Sequence, residues 1–359
     1  MPRDKKGELA MEKLRVVQWT TGKVGKCALR AILDDPRMEL AGLYAFSPDK
    51  AGQDAAVLCD RPACGIAATD DIDALIAARP DAVVYTPFMA DLDHLDRLLR
   101  AGIDVASTNL LLNCGGLGGE ARDRIAAACA AGGSSFYITG VNPGWINQIA
   151  ASLTAVCRRV DRVTIAESAN VANYSSKETW AALGMGFADA DAAMRMAAQG
   201  ALVSFRDAVT GVAGAIGVTL DDTAFELDYA TAAQDIDLGF MMLAKGTNAA
   251  LRATWIGRKS GHDVVRLSVA WYLTDLLAEG WTFDDDHYHV TVDGEPGVDM
   301  RVRFVAPEWT GGDWSVLTAL PAVNVLPQLA KAPAGIVNHA DIALVTAPAG
   351  AWLDSGTHA

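Results

Sequence analysis

The residues best placed by type and spacing to do chemistry lie in Trp19-Thr20-Thr21-Gly22-Lys23-Val24-Gly25. An apolar run precedes this stretch and a helical pattern follows it, so T-x-G-x-x-G falls at a strand-to-helix turn. Glycine at position 22 lets the backbone approach a pyrophosphate, and glycine at 25 lets the helix pack closely on the strand. Free N–H groups at the helix start, with the helix dipole, then favour an anion. The turn lacks the usual first glycine, with Trp19 or Thr20 in its place. Thr20, Thr21, Gly22, Lys23, Val24 and Gly25 are thus the expected phosphate cradle of a dinucleotide. Two glycines at this spacing also serve plain tight turns, so the strand before and the helix after carry the reading.

Such a cradle needs a parallel sheet behind it. LRVVQW, MELAGLYAF, DAVVYT, DVAST and SSFYIT read as strands. Between them lie helical stretches at 23–33, DDIDALIAA (with Thr69 as its expected cap), DLDHLDRLLRAG and EARDRIAAACAAGG. This alternation predicts an α/β, Rossmann-type doubly wound parallel sheet over residues 13–149, after a flexible extension at 1–12. Ligands then bind at the carboxyl ends of the strands. The second strand runs into Tyr44-Ala45-Phe46-Ser47-Pro48-Asp49-Lys50, with no acid at its tip. Ser47 and Lys50 suit a ribose 2′-phosphate, which favours NADP(H), while Asp49 keeps NAD(H) open. Polar residues recur at later strand tips, in Thr86-Pro87-Phe88, Ser107-Thr108-Asn109 and Gly140-Val141-Asn142-Pro143-Gly144-Trp145.

Beyond Trp145 the texture changes. RRVDRVTIAESANVANY, HDVVRLSVAWYL and HYHVTVDGEPGVDMRVRFV alternate as strands with one buried face, and 177–216 look helical. Residues 150–308 are therefore expected to form an α+β substrate-binding and dimerisation domain with a mostly antiparallel or mixed sheet. The tail 309–359, with a proline-bearing helix, is expected to return to the first domain.

Composition narrows the partners. The 359 residues are 51% hydrophobic and 21% charged, and 30 basic against 44 acidic residues leave a formal charge of −14. A surface of that sign repels nucleic acid and anionic membrane. No apolar run approaches the roughly 18 residues of a membrane span, and the charged start is no secretory signal. Six scattered cysteines without C-x-x-C read as thiols of a reducing cytoplasm. His287 and His289 beside Asp284, Asp285 and Asp286 make an incomplete metal set, so no metal is expected. H-E-x-x-H, G-x-S-x-G and Tyr-x-x-x-Lys are all absent.

WTTGKVG, TPF, STN and GVNPGW, in that order, resemble the dihydrodipicolinate reductase-like superfamily. Within it the chain resembles the NAD(P)-dependent amine dehydrogenases and 2,4-diaminopentanoate dehydrogenase, with TALPAVNVLPQLAKAPAGIV and ESANVANYSSKETW extending the likeness over most of the chain. Dihydrodipicolinate reductase itself fits poorly, because its His-His-x-x-Lys segment is replaced here by SANVANYSSK after Glu167.

The resemblance implies an NAD(P)H-dependent oxidoreductase. Its reaction would be the reductive amination of a small ketone or aldehyde with ammonia, or the reverse deamination. Ser47, Lys50, Thr86, Pro87, Thr108, Asn109, Asn142 and Asn324 join the cradle as cofactor-binding candidates, and Trp145, Tyr174 and Asn170 are substrate candidates. In amine-active relatives a glutamate just beyond the Ser-Thr strand tip assists the imine steps. Here the run is STNLLLNCGG, and Asn109 moves no proton at neutral pH. Asn109, Glu167 and Tyr174 are the catalytic candidates. Ketone or alcohol chemistry without ammonia, or a catalytically silent cofactor sensor, are the alternatives. The expected partners are a small carbonyl or amine, ammonia and a second copy of the chain.

Overall fold

The structure is a computed structural model and describes residues 13–108, 118–283, 287–305 and 314–348. The expected extension at 1–12, Asn109 and Asp284 to Asp286 lie outside these residues. Six strands open the chain: β1 (Leu14–Trp19), β2 (Met38–Tyr44), β3 (Ala68–Thr69), β4 (Ala82–Tyr85), β5 (Asp104–Ser107) and β6 (Ser135–Ile138). They pair only in parallel, in the order β6-β5-β4-β1-β2-β3.

Side chains of one parity, Val16, Leu40, Val84 and Ala106, pack beneath α1 (Lys23–Asp34) at Ala28, Leu29 and Ile32. The other parity, Val17, Trp19, Val83, Tyr85 and Val105, meets α2 (Ile72–Ala77), α3 (Leu92–Arg100) and α4 (Gly118–Gly132). Burial on both faces is why these strands read as continuous apolar runs. The cap of α2 differs from expectation. Asp71 accepts from the N–H groups of Asp73 and Ala74, while the Thr69 hydroxyl stays in β3 and accepts from Asp71 N. A carboxylate at the cap position satisfies two free donors at once.

Helix α5 (Ile146–Leu153) leads into a second sheet, whose strands are β7 (Arg159–Asn170), β8 (Asp222–Thr231), β11 (Asn248–Lys259), β12 (His262–Tyr272), β13 (Tyr288–Glu295) and β14 (Val298–Val302). Their order is β14-β13-β7-β12-β11-β8, with β7 and β12 parallel and the other pairs antiparallel, so the sheet is mixed. A ribbon of β9 (Ile236–Asp237) and β10 (Met242–Leu243) stands apart. Helices α6 (Lys177–Ala182), α7 (Ala192–Ala201) and α8 (Ser204–Ala215) fill the connection after β7.

The inner face of this sheet presents Val163 and Ile165, Val265, Leu267 and Val269, and Val290 and Val292 to a core shared with α5 and α8. The tail then returns to the first sheet. Helix α9 (Ser315–Asn324) buries Ala319, Ala322 and Val323 in the core that holds α1, and α10 (Leu326–Leu329) follows it. Finally β15 (Gly335–Ile336) pairs in parallel with β6 as a seventh strand. No helix among the described residues is long and apolar enough to cross a membrane.

Asp104, at the start of β5, accepts from Ser135 N at 2.7 Å, and burial pushes its carboxyl up to about 6, with the charge of Asp81 adding to the rise. The native chain thus holds this proton more tightly than the unfolded chain, whose ordinary value is 3.8. The stability it contributes is fully present below that value and is lost as pH climbs through about 6. Asp104→Asn keeps the acceptor and removes the titration. The variant should gain stability over the parent at pH 7.5 but not at pH 3.5, by at most about 3 kcal/mol given the residual solvent screening. A melting-temperature difference identical at both pH values refutes this.

Candidate active site

The phosphate turn is built where β1 hands over to α1, beside β4, the point at which the strand order reverses and a crevice opens. Thr20, not Trp19, occupies the first-glycine position, with a left-handed φ of 71°. A β-branched residue there costs roughly 1–3 kcal/mol, so its surroundings must hold it. Thr20 N donates to Tyr44 O at 2.9 Å, and Gln18 Nε2 donates to Thr20 O at 3.1 Å. The same Gln18 nitrogen also reaches Trp19 O and Thr86 Oγ1, and the Thr86 hydroxyl in turn donates to Trp19 O at 2.8 Å. Gln18 is fully buried, so this network ties the tips of β1, β2 and β4 together in a dry setting.

Gly25 has no room for a side chain: a Cβ would stand 2.4 Å from Thr20 O and 3.0 Å from Thr86 Oγ1. Gly22 is the opposite case, with nothing within 4 Å of such an atom. It caps α1 without a side-chain hydrogen bond, and the first helical bond runs from Lys26 N to Gly22 O. The N–H groups of the first turn therefore open onto free space, the arrangement a pyrophosphate requires. Thr21 is buried beside them, and Lys23 is exposed at the helix start.

A cleft of about 200 Å³ opens near the tip of β6. Its walls come from the β6 tip and the following turn (Tyr137, Thr139, Val141, Trp145), from Gln148 of α5, and from Phe304 beyond β14. Helix α9 adds Leu317, Leu320, Pro321 and Asn324, and the tail adds Val345 to Ala347. The turn that carries Trp145 is tight. Asn142–Pro143 is cis, Gly144 has φ 140°, and a Cβ on Gly144 would lie 2.9 Å from Thr139 Oγ1. At the cleft floor the Tyr137 hydroxyl accepts from Gln148 Nε2 and lies 2.7 Å from His339 Nδ1. Burial pulls His339 down to about 4, so the neutral ring accepts the Tyr137 proton at pH 7. Burial likewise raises Tyr137, which keeps the phenol protonated.

Glu167 stands behind the same turn. On β7 it follows Val163 and Ile165 in the period-2 register, so it points toward the apolar inner face. Three elements supply donors: Asn142 Nδ2 at 2.7 Å and the Tyr288 hydroxyl at 2.9 Å to Oε2, and Trp271 Nε1 at 2.7 Å to Oε1. Burial raises its carboxyl above the ordinary range, against these three bonds that favour the charge. Phe304 bridges the site to the cleft, 5.9 Å from Trp145 and 6.1 Å from Tyr288, centroid to centroid.

The other sequence candidates scatter. Trp145 and Asn324 line the cleft, whereas Tyr174 and Asn170 do not. Tyr174 is 47% exposed beyond β7, its ring edge-on to Trp180, and Asn170 accepts from Ala172 N in the following turn. Ser47 O accepts from the N–H groups of Lys50 and Ala51 in a turn after β2. Thr86 and Pro87 follow β4, and Thr108 N donates to Tyr85 O. His287 Nδ1 accepts from Phe304 N, while His289 pairs with Asp299, and no group of three potential metal ligands occurs among the described residues. Sequence reasoning missed Tyr288, Trp271, Gln148 and His339. Only parity with Val163 and Ile165 pointed Glu167 inward.

A doubly wound parallel sheet, an open helix start at its reversal point and a cleft near the strand tips define the Rossmann-type fold of dinucleotide-dependent oxidoreductases. Residues 145–356 match the family described as 2,4-diaminopentanoate dehydrogenase C-terminal domain, and the chain belongs to that family. It is 28% identical over 352 residues to an amine dehydrogenase from Streptomyces virginiae, covering 92% of this chain and 96% of that one. The structure of an amine dehydrogenase from Mycobacterium smegmatis superposes with a TM-score of 0.73 at 18% identity, over 93% of this chain and 97% of that one. An oxidoreductase from Agrobacterium radiobacter, solved with NAD+, gives 0.56 at 12% identity over 92% of each chain, and so shares the fold.

Gly25→Ala tests the cradle. The added methyl must displace the Thr20 carbonyl, which should lower the melting temperature and weaken binding of whichever of NADH and NADPH the parent binds at least tenfold in a fluorescence titration. Gly22→Ala, with open space around it, should leave the melting temperature unchanged. Equal stability of the two variants contradicts the packing.

Proposed function

We propose that this protein is a nicotinamide-dependent amine dehydrogenase acting on a small, largely apolar ketone or aldehyde bound in the cleft beside Trp145. A ketone, ammonium and NAD(P)H would give the amine, water and NAD(P)+. The observation that carries the reading is the half-buried Glu167 carboxylate, joined through Asn142 to the turn whose Val141 and Trp145 line the cleft. A carboxyl held above its ordinary range near the cleft suits proton exchange with a reacting carbonyl or amine. The bound cofactor supplies the hydride; the chain grips, orients and excludes water. Gly22 and the first-turn N–H groups hold the pyrophosphate, and Phe46 and Phe88, exposed at the tips of the strands flanking β1, offer apolar surface to the base. Asn324 provides an amide at the cleft wall.

Ser47 and Lys50 support a preference for NADP(H), since no acid stands at the tip of β2. In this reading residues 13–149 hold the cofactor, and 150–308 add Phe304 to, and set Glu167 behind, a pocket walled mainly by the turn after β6, α5 and the tail. A second reading, carbonyl reduction without ammonia, draws on Asn109 standing where amine-active relatives carry a glutamate. Incubation with NADPH or NADH and a panel of small ketones and aldehydes, with and without ammonium chloride, decides between them. Faster oxidation of NADPH only with ammonium is expected; oxidation indifferent to ammonium selects the second reading, and binding without turnover rejects both.

The second sheet supports a homodimer. Across from its helix-covered face it sets Thr164, Ala166, Ser168, Ser268 and Ala270, small side chains in register on β7 and β12. Small side chains on that face leave room for the approach of a second copy. Sedimentation at micromolar concentration should give twice the chain mass of 37.8 kDa, and a single monomer species overturns the assignment.

A further inference from the structure

Glu167 has an unbalanced charge. Its donors, an indole, an amide and a phenol, are all neutral, and no basic side chain of the described residues acts on it. Asp35, by contrast, is buried with a basic partner, Arg37. A carboxylate enclosed without a counter-charge is costly unless something else brings one.

Asn142 adds a second acceptor. Against an ionised Glu167 its Nδ2 faces the carboxylate, because the reversed amide would set oxygen against oxygen. Its Oδ1 is buried with no hydrogen-bond partner among the described residues. Among the described residues Glu167 Oε1 accepts only from Trp271, which leaves it capacity for another donor. The local balance is an excess of acceptors and negative charge, at a turn whose neighbouring residues Val141 and Trp145 line the cleft. A ligand that answers it carries N–H donors and a positive charge.

We propose that Glu167 and Asn142 form the subsite for a cationic nitrogen, ammonium or the alkylammonium of the product amine. This rests on the amine dehydrogenase reading above and places the nitrogen in the second sheet, rather than at the Ser107-Thr108 strand tip where relatives carry their glutamate. Trp271 and Tyr288 keep the carboxylate aimed, as positioning residues.

Two measurements test it. Glu167→Gln preserves size and an acceptor while removing the charge. With NADPH and a ketone accepted by the enzyme, the KM for ammonium should rise at least tenfold, and the KM for NADPH should change less than twofold. Independently of turnover, the indole 15N–1H resonance of Trp271, assigned through Trp271→Phe, should move when ammonium or methylammonium chloride is added to the full-length protein. Potassium chloride at equal ionic strength should leave it in place. If the Gln variant fails to fold, this titration of the parent protein still decides.

An ammonium KM unchanged in Glu167→Gln overturns the subsite while leaving the amine dehydrogenase reading intact. So does an indole resonance that ignores ammonium or answers potassium equally. Absence of ammonium-dependent turnover in the parent protein overturns the reaction alone, and a selective indole shift then still supports the subsite.

Discussion

Everything in the first half of the molecule is arranged around the close approach of α1 to the β1 turn. With a Cβ at residue 25 only 2.4 Å from Thr20 O, the helix can lie against the turn only if that residue is glycine. Only then does its N-terminus come to the reversal point of the sheet with its N–H groups unobstructed. Thr20 accepts a left-handed conformation to make this possible, and the buried side chain of Gln18 holds it there with bonds to two successive carbonyls and to Thr86. The strain that a first glycine would have relieved is instead held by a hydrogen-bonded glutamine from within the strand. Residues that read as ligands in the sequence, Thr86 above all, spend their polar atoms on this lock.

The second constraint is the return of the chain. Helix α9 packs on α1, and β15 extends the first sheet beyond β6, so the cleft is closed by segments nearly 200 residues apart. The Tyr137–Gln148–His339 cluster stitches the same three regions together at the cleft floor. Because burial keeps His339 neutral and Tyr137 protonated, this stitch does not depend on charge across the physiological range.

The mixed sheet contributes the one acidic group that its apolar face does not need for packing. A glutamate among Val163, Ile165, Val265, Leu267 and Val269 would be destabilising as a bare charge, and its three donors from the NPG turn, β12 and β13 only partly offset that cost. In the proposed reaction the acidic group is a carboxylate on the second sheet, joined through Asn142 to the turn that ends the first.

Local patterning was enough to find most elements. Continuous apolar runs marked β1, β2, β4, β5 and β6, and alternation marked β7, β12, β13 and β14. Strand β11 escaped because it is buried on both sides from Asn248 to Gly257 except at Arg252, so it has no period of two to read. Spacing alone identified Gly22 and Gly25, since backbone geometry at a strand-to-helix turn is dictated by neighbours in sequence. What the sequence determined by itself was thus the doubly wound sheet and the nucleotide turn. Which residue bends the turn, and which carboxylate stands behind the turn that lines the cleft, was decided only by tertiary structure. Thr20 and Gln18 act through Thr86, 66 and 68 positions away, and Glu167 is defined by Trp271 and Tyr288, 104 and 121 positions away. Hydrogen bonds across such separations depend on strand register and on the packing of one sheet against another. Neither leaves a periodic mark in the chain.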